Sequence, residues 1–209
     1  GKQIVFLGTK RGLTDLETTM EDTHVWVMNA DGSGRREIGA VVDNRQGNHG
    51  FSPDGAFVYF TALDRGHVRL HRVSLATGKA ETVVSEPGTV GGWSLAKNGT
   101  LAYTYASPKD QAQLFVREAA PVATAKSRTA AATANANAPV ARQLTDLNKE
   151  ALAGIDIAEV KNFTFVSADF KYEVEAFLTI PPARTADSKH PMIVMIHGGP
   201  HGQQGPAFN

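Results

Sequence analysis

The chain has 209 residues, with 21 basic and 21 acidic side chains and no cysteine. Balanced charge argues against a nucleic-acid partner or an anionic membrane surface, and the lack of cysteine excludes disulfides, cysteine-based zinc sites and thiol catalysis. No apolar run approaches the roughly 20 residues of a membrane span. The first residue is Gly1 and no signal-peptide layout follows it, so the sequence reads as the middle of a longer protein, its compartment open between cytoplasm and export.

Repeats organise the first two-thirds. Gly1-Lys-Gln-Ile-Val-Phe6, Gly55-Ala-Phe-Val-Tyr-Phe60 and Gly99-Thr-Leu-Ala-Tyr-Thr104 each pair a glycine turn with an apolar, aromatic strand. A second strand follows each, at His24–Met28, Val68–Val73 and Gln113–Val116. In the first two units a turn (Asn29–Gly34, Ala76–Lys79) leads to a third strand, at Arg36–Ile38 and Ala80–Val84. Asp-Gly and Thr-Gly are hairpin signals because such turns need positive φ. The spacing from Gly55 to Gly99 falls in the propeller-blade range of about 40–50 residues. The longer step from Gly1 to Gly55 is assigned to a polar loop insertion at 11–22. These features predict about three blades of four-stranded sheet, the first incomplete. Propellers close with about four to eight blades, so further blades are expected outside this sequence.

Residues 119–141 are Ala, Thr, Pro and Asn with almost no bulky apolar side chain. Such a segment buries too little surface to offset its ordering entropy. It reads as a low-complexity insertion between the two halves of a hairpin, Leu114–Val116 and Arg142–Thr145. Asn148–Ala153 suggests one helical turn. Period-2 patterns at Glu159–Ser167 and Tyr172–Ile180, with Ala168-Asp169 between them, suggest a strand hairpin. Pro181-Pro182 ends it, and a polar loop to His190 follows. Met192–Ile196 is then an uninterrupted apolar run bounded by Pro191 and by His197-Gly198-Gly199-Pro200. That pattern predicts a strand buried on both faces and a tight loop leaving its end.

Three pieces carry a family resemblance: the His197-Gly-Gly-Pro200 loop, the lead-in Phe165–Asp169 with Phe177–Pro182, and the Ser52-Pro-Asp-Gly55 type of repeat. Together they resemble the prolyl oligopeptidase family of serine peptidases, most of all its acylaminoacyl-peptidase and dipeptidyl-peptidase members. One departure is Phe170, where the family usually has glycine. The resemblance implies a mainly β chain: a partial β-propeller over 1–150, then the first strands of an α/β-hydrolase domain over 151–209. It implies a peptide substrate and no cofactor, and leaves a homo-oligomer open.

Acyl transfer in such a domain needs a serine on a G-x-S-x-G elbow, then an acid, then a histidine. No serine in the sequence has that setting; Ser33 and Ser94 lie beside glycines but fail the pattern. The triad is therefore expected beyond Asn209, and this piece alone is expected to be inactive. Its contribution is expected to be the oxyanion loop His197, Gly198 and Gly199, with the Gly199 amide as donor and His197 bracing the loop. The spacing of His197 and His201 matches a helical zinc pair, but Gly-Gly-Pro between them excludes a regular helix, and no metal is expected. His67 and His71 read as surface or inter-blade groups, and Trp26 and Trp93 as packing. Two other readings stay open: a non-catalytic, TolB-like propeller binding module, and an α/β-hydrolase esterase.

Overall fold

In a computed structural model of the protein, residues 1–9, 22–119, 140–185, 187–198 and 202–208 are described. The expected insertions at 11–22 and 119–141 fall almost wholly outside these residues, as do Gly199, Pro200 and His201.

The strands come in hairpins, as the glycine turns dictate. β1 (Gln3–Gly8), β2 (His24–Asn29) and β3 (Arg36–Glu37) form one antiparallel sheet. A second blade holds β4 (Gln46–Phe51), β5 (Phe57–Asp64), β6 (His67–Ser74) and β7 (Ala80–Val84). A third holds β8 (Thr89–Leu95), β9 (Leu101–Ala106), β10 (Gln113–Arg117) and β11 (Arg142–Gln143). A single parallel pair, Val68 opposite Thr89, joins the second blade to the third. β11 pairs with β10 at Phe115 and Val116, the two halves of one hairpin.

The first strand of each complete blade, β4 and β8, escapes a reading based on alternation. Both are glycine-rich, with register shifts between Gly47 and Gly50 and between Val90 and Trp93. Glycine and bulges weaken the period-2 pattern that marks a strand.

Alternation in β5 explains the core. Val58, Phe60 and Ala62 join Val25, Val27, Ile38 and Val73 between the first and second blades. Tyr59 faces the other way, joining Leu70, Val84, Val90, Leu101 and Tyr103 between the second and third. A strand buried on both faces needs a continuous apolar run. Each fully buried Val, Leu or Phe contributes about 1.5–3 kcal/mol. Trp93 packs against Tyr59, and its indole N–H donates to Asn48 O at 2.9 Å, tying β8 to β4. Trp26 stacks on Phe6 and donates to Gly8 O. Both tryptophans are therefore packing residues.

Two buried glutamines fasten the layers. Gln46 Oε1 accepts from Val25 N at 2.8 Å, and its Nε2 donates to Gly39 O and Val42 O at 2.8 and 2.6 Å. Gln113 Oε1 accepts from Thr145 Oγ1 and Leu147 N, while its Nε2 donates to Asp110. This second network seats the crossover, which continues into α1 (Lys149–Leu152).

β12 (Glu159–Val166) and β13 (Glu173–Ile180) pair antiparallel in full register and form a separate two-stranded sheet. The expectation of a buried strand at Met192–Ile196 is not met. These residues form no strand, and Ile193, Met195 and Ile196 are 88%, 92% and 92% exposed. A two-faced strand needs neighbours along both edges, and no segment among the described residues lies alongside this one. Among the described residues the chain is mainly β, and no helix is long and apolar enough to cross a membrane.

Candidate functional site

After Ile196, His197 closes on the backbone of the next residue. His197 Nδ1 donates to Gly198 O at 3.1 Å. A Cβ placed on Gly198 would meet nothing within 4 Å, so the space beside it is open. Gly199, named as the donor by the sequence, lies outside the described residues. Gly202 lies near the same carbonyl: a Cβ on it would stand 3.7 Å from Gly198 O.

From Gly202 the chain runs onto the propeller. The β5–β6 turn is Arg65-Gly66, with φ of 49° and 76°, the two positive values of a tight hairpin turn. Gln203 reaches this turn with both ends of its carboxamide. Its Oε1 accepts from Gly66 N at 3.2 Å, and its Nε2 donates to His67 O at 2.8 Å. Beside it, two glycine backbones touch. A Cβ on Gly205 would overlap Gly66 O, and a Cβ on Gly66 would overlap the Phe177 ring and stand 3.0 Å from Gln204 O. Farther along, Phe208 N donates to Ser107 O at 2.9 Å, at the β9–β10 turn. That turn and Arg65-Gly66 hold equivalent places in their blades, so the segment 202–208 crosses matching corners of two neighbouring sheets.

Charge at the seat comes from β5, β6 and β13. Arg69 pairs with Asp64 at 2.6 Å and donates to Ser85 O. Burial holds the His67 imidazole below its ordinary value, Arg69 adding to the effect and Asp64 and Glu175 opposing it. Burial also lowers His71, which stacks on Phe60 and meets Thr82 Oγ1 at 3.2 Å. Both histidines are buried, so neither is a surface group. No cluster of metal-ligating side chains occurs among the described residues.

Among the described residues the site therefore holds the His197–Gly198 contact and the seat of Gln203 on the β5–β6 turn. The seat of Gln203 on Gly66 and His67 is the part sequence reasoning misses. The Arg65-Gly66 turn is visible as a hairpin signal, but nothing in local sequence links it to a glutamine so far along the chain.

No family model matches the sequence, and no curated protein matches it. Solved structures do match. An acylaminoacyl peptidase from Pyrococcus horikoshii superposes with a TM-score of 0.72 at 21% identity, covering 98% of this chain and 27% of that one. An acylaminoacyl peptidase in complex with Z-Gly-Gly-Phe-chloromethyl ketone gives 0.73 at 20% identity, with the same coverage. The AtxE2 isopeptidase gives 0.63 at 14% identity, covering 91% of this chain and 26% of its own. The chain thus spans about a quarter of the length of the structures it matches, and what it shares with them, across almost all of its own length, is their fold.

Proposed function

We propose that this chain is the junction between propeller and catalytic domain in a serine peptidase of the prolyl oligopeptidase family, acting on short peptides. Residues 1–150 are the propeller part and 151–209 the opening of the α/β-hydrolase domain. The serine, acid and histidine of the triad lie outside these 209 residues. One observation carries this reading: the likeness in fold to acylaminoacyl peptidases extends over 98% of the chain, from the blades through the hairpin to the seated loop. A free-standing binding propeller has no use for the last two.

In the reaction, a serine Oγ attacks the peptide carbonyl carbon, its proton passes to the histidine, and the carbonyl oxygen takes the negative charge. The Gly199 N–H donates to that oxygen, with Gly198 shaping the turn and His197 bracing it through Gly198 O. A preorganised donor of this kind is worth about 10²–10³-fold in rate, roughly 2.7–4 kcal/mol. The propeller covers the site and admits substrates by size.

The test uses the longest natural protein that contains this chain. It is assayed on acylaminoacyl and dipeptidyl p-nitroanilides and labelled with a serine-reactive fluorophosphonate. Hydrolysis of either substrate with labelling is expected, and neither from residues 1–209 alone. A natural protein that neither labels nor hydrolyses returns the chain to the binding-module reading. Turnover of simple esters with no amide cleavage makes it an esterase.

A further inference from the structure

We propose that the gap between the second and third blades binds a small neutral aromatic amide, its ring against Tyr59, Val83, Leu95 and Leu101 and its carbonyl oxygen on the Arg72 and Arg117 guanidinium groups. The inference is independent of the peptidase reading, since every lining residue belongs to the blades and none to the His197–Gly198 loop.

Size comes first. The cavity in this gap measures about 190 Å³. An apolar cavity of about 150 Å³ accepts benzene, so one aromatic ring fits with room for a small polar group. The inner wall is apolar: Tyr59 and Leu101 are buried, and Val83 and Leu95 pack against the same core. Glu81 and Glu118 also line the cavity and are exposed, which puts the mouth on their side.

Charge decides which polar group suits it. Arg72 holds Glu81 through Nε and Nη2 at 2.8 and 2.5 Å, and Arg117 holds Glu86 at 3.2 Å. Glu118 accepts from Thr100 Oγ1. A ligand carboxylate would face these three carboxylates with both arginines already paired. A ligand ammonium would find Glu118, an exposed group whose attraction water screens, and would also face the two guanidinium groups.

Hydrogen-bond donors are what remain. A guanidinium has five N–H groups. Arg72 commits three of them, two to Glu81 and one to Tyr59 Oη at 3.2 Å. Arg117 donates to Val83 O and Glu86. Both side chains stay partly exposed, at 34% and 21%, so water or a ligand can reach them. The Tyr59 hydroxyl accepts from Arg72 and keeps its own proton to donate. Arg72 also stands 4.5 Å over the centre of the Phe57 ring, which holds the guanidinium in place before any ligand arrives. An uncharged acceptor attached to a ring satisfies all of this, and an aromatic amide is such a molecule.

The experiment titrates the natural protein with N-acetyl-phenylalanine amide, following the methyl resonances of Val83, Leu95 and Leu101. The protein is first treated with a serine-reactive fluorophosphonate, so that a catalytic serine cannot consume the probe. Shifts at these methyls are expected, with a Kd on the order of 1 mM for a ligand of this size. Tyr59→Phe keeps the ring and removes one donor, and should weaken binding roughly 3- to 10-fold. Val83→Phe fills the gap and should abolish binding, with Tm showing that the variant is folded; if it is not, Tyr59→Phe decides alone. N-acetyl-phenylalanine, which ends in a carboxylate, and phenylalanine amide, which carries an ammonium, should each bind more weakly than the neutral probe. Absence of shifts at the three methyls up to the probe's solubility limit would overturn the proposal. Equal affinity in wild type and Tyr59→Phe would place binding elsewhere and overturn it too. Tighter binding of either charged analogue would refute the neutral-acceptor chemistry.

Discussion

Gly55 and Phe170 occupy the same position in two copies of one turn. In Ser52-Pro-Asp-Gly55, Ser52 Oγ donates to Asp54 at 2.5 Å and accepts from Phe57 N. In Ser167-Ala-Asp-Phe170, Ser167 Oγ donates to Asp169 at 2.6 Å and accepts from Tyr172 N. The serine hydroxyl is the first cause holding each aspartate below the usual carboxylate range. The fourth residue is left-handed in both, with φ of 69° at Gly55 and 61° at Phe170. Glycine bears this freely, while a side chain there costs about 1–2 kcal/mol. Phe170 is 86% exposed, so little packing offsets the strain. Phe170→Gly should therefore raise stability by about 1 kcal/mol in urea denaturation. A loss of stability would show that the ring has a partner of its own.

Gln46 should be among the most sensitive polar residues of the blades. Gln46→Leu keeps the bulk and removes three hydrogen bonds: Val25 N loses its carboxamide acceptor, while Gly39 O and Val42 O each lose one donor and keep another, from Val42 N and Asn44 N. A buried N–H left unsatisfied costs about 1–3 kcal/mol, and the two weakened carbonyls add to it, so a loss of about 2 kcal/mol is expected by chemical denaturation. A loss below about 1 kcal/mol would mean that water replaces the carboxamide.

His67 and His71 set a pH window. Both are held below the ordinary imidazole value of 6.5, burial being the main cause. As pH falls through 6.5 the unfolded chain takes up protons that the folded chain refuses. Stability is then fully present above that value and declines below it toward the folded pKa values. Urea midpoints should fall between about pH 7 and pH 5, and the His67→Gln/His71→Gln double variant should fall less. Parallel declines in the two proteins would place the acid sensitivity elsewhere.

The peptidase reading makes a kinetic prediction for the loop. His197→Ala should lose less kcat than Gly199→Val. On the peptidase reading, the first removes a brace on Gly198 O, and the second puts a β-branched side chain on the residue proposed as the donor. A misdirected donor should cost on the order of 10²-fold, read as kcat on an acylaminoacyl p-nitroanilide. Equal or reversed losses would give the imidazole, rather than the amide, the larger part in stabilising charge.

The legible parts of this fold are those governed by local rules. Asp-Gly and Ser-Pro-Asp-Gly turns announce their hairpins, and alternation in Glu159–Val166 and Glu173–Ile180 announces the two-stranded sheet, as does Asn148–Ala153 the short helix. β4 and β8 are illegible because glycine and bulges erase the period. The apolar run at Met192–Ile196 states what the segment would bury, but burial also depends on neighbours the run does not contain. The grip of Gln203 is illegible for a third reason: a polar contact between distant residues leaves no periodic trace, and only tertiary placement brings it about.

The span of that grip sets an order of events. Gly66 and Gln203 are 137 positions apart. At a synthesis rate of about 5–20 residues per second, the turn leaves the ribosome on the order of ten seconds before its partner. Hairpins form in about 1–10 μs, so the second blade's β5–β6 corner can exist as a finished template when the later segment emerges. The nascent protein would thus assemble as a mould followed by its casting, with the propeller's own folding deciding where the downstream backbone comes to rest.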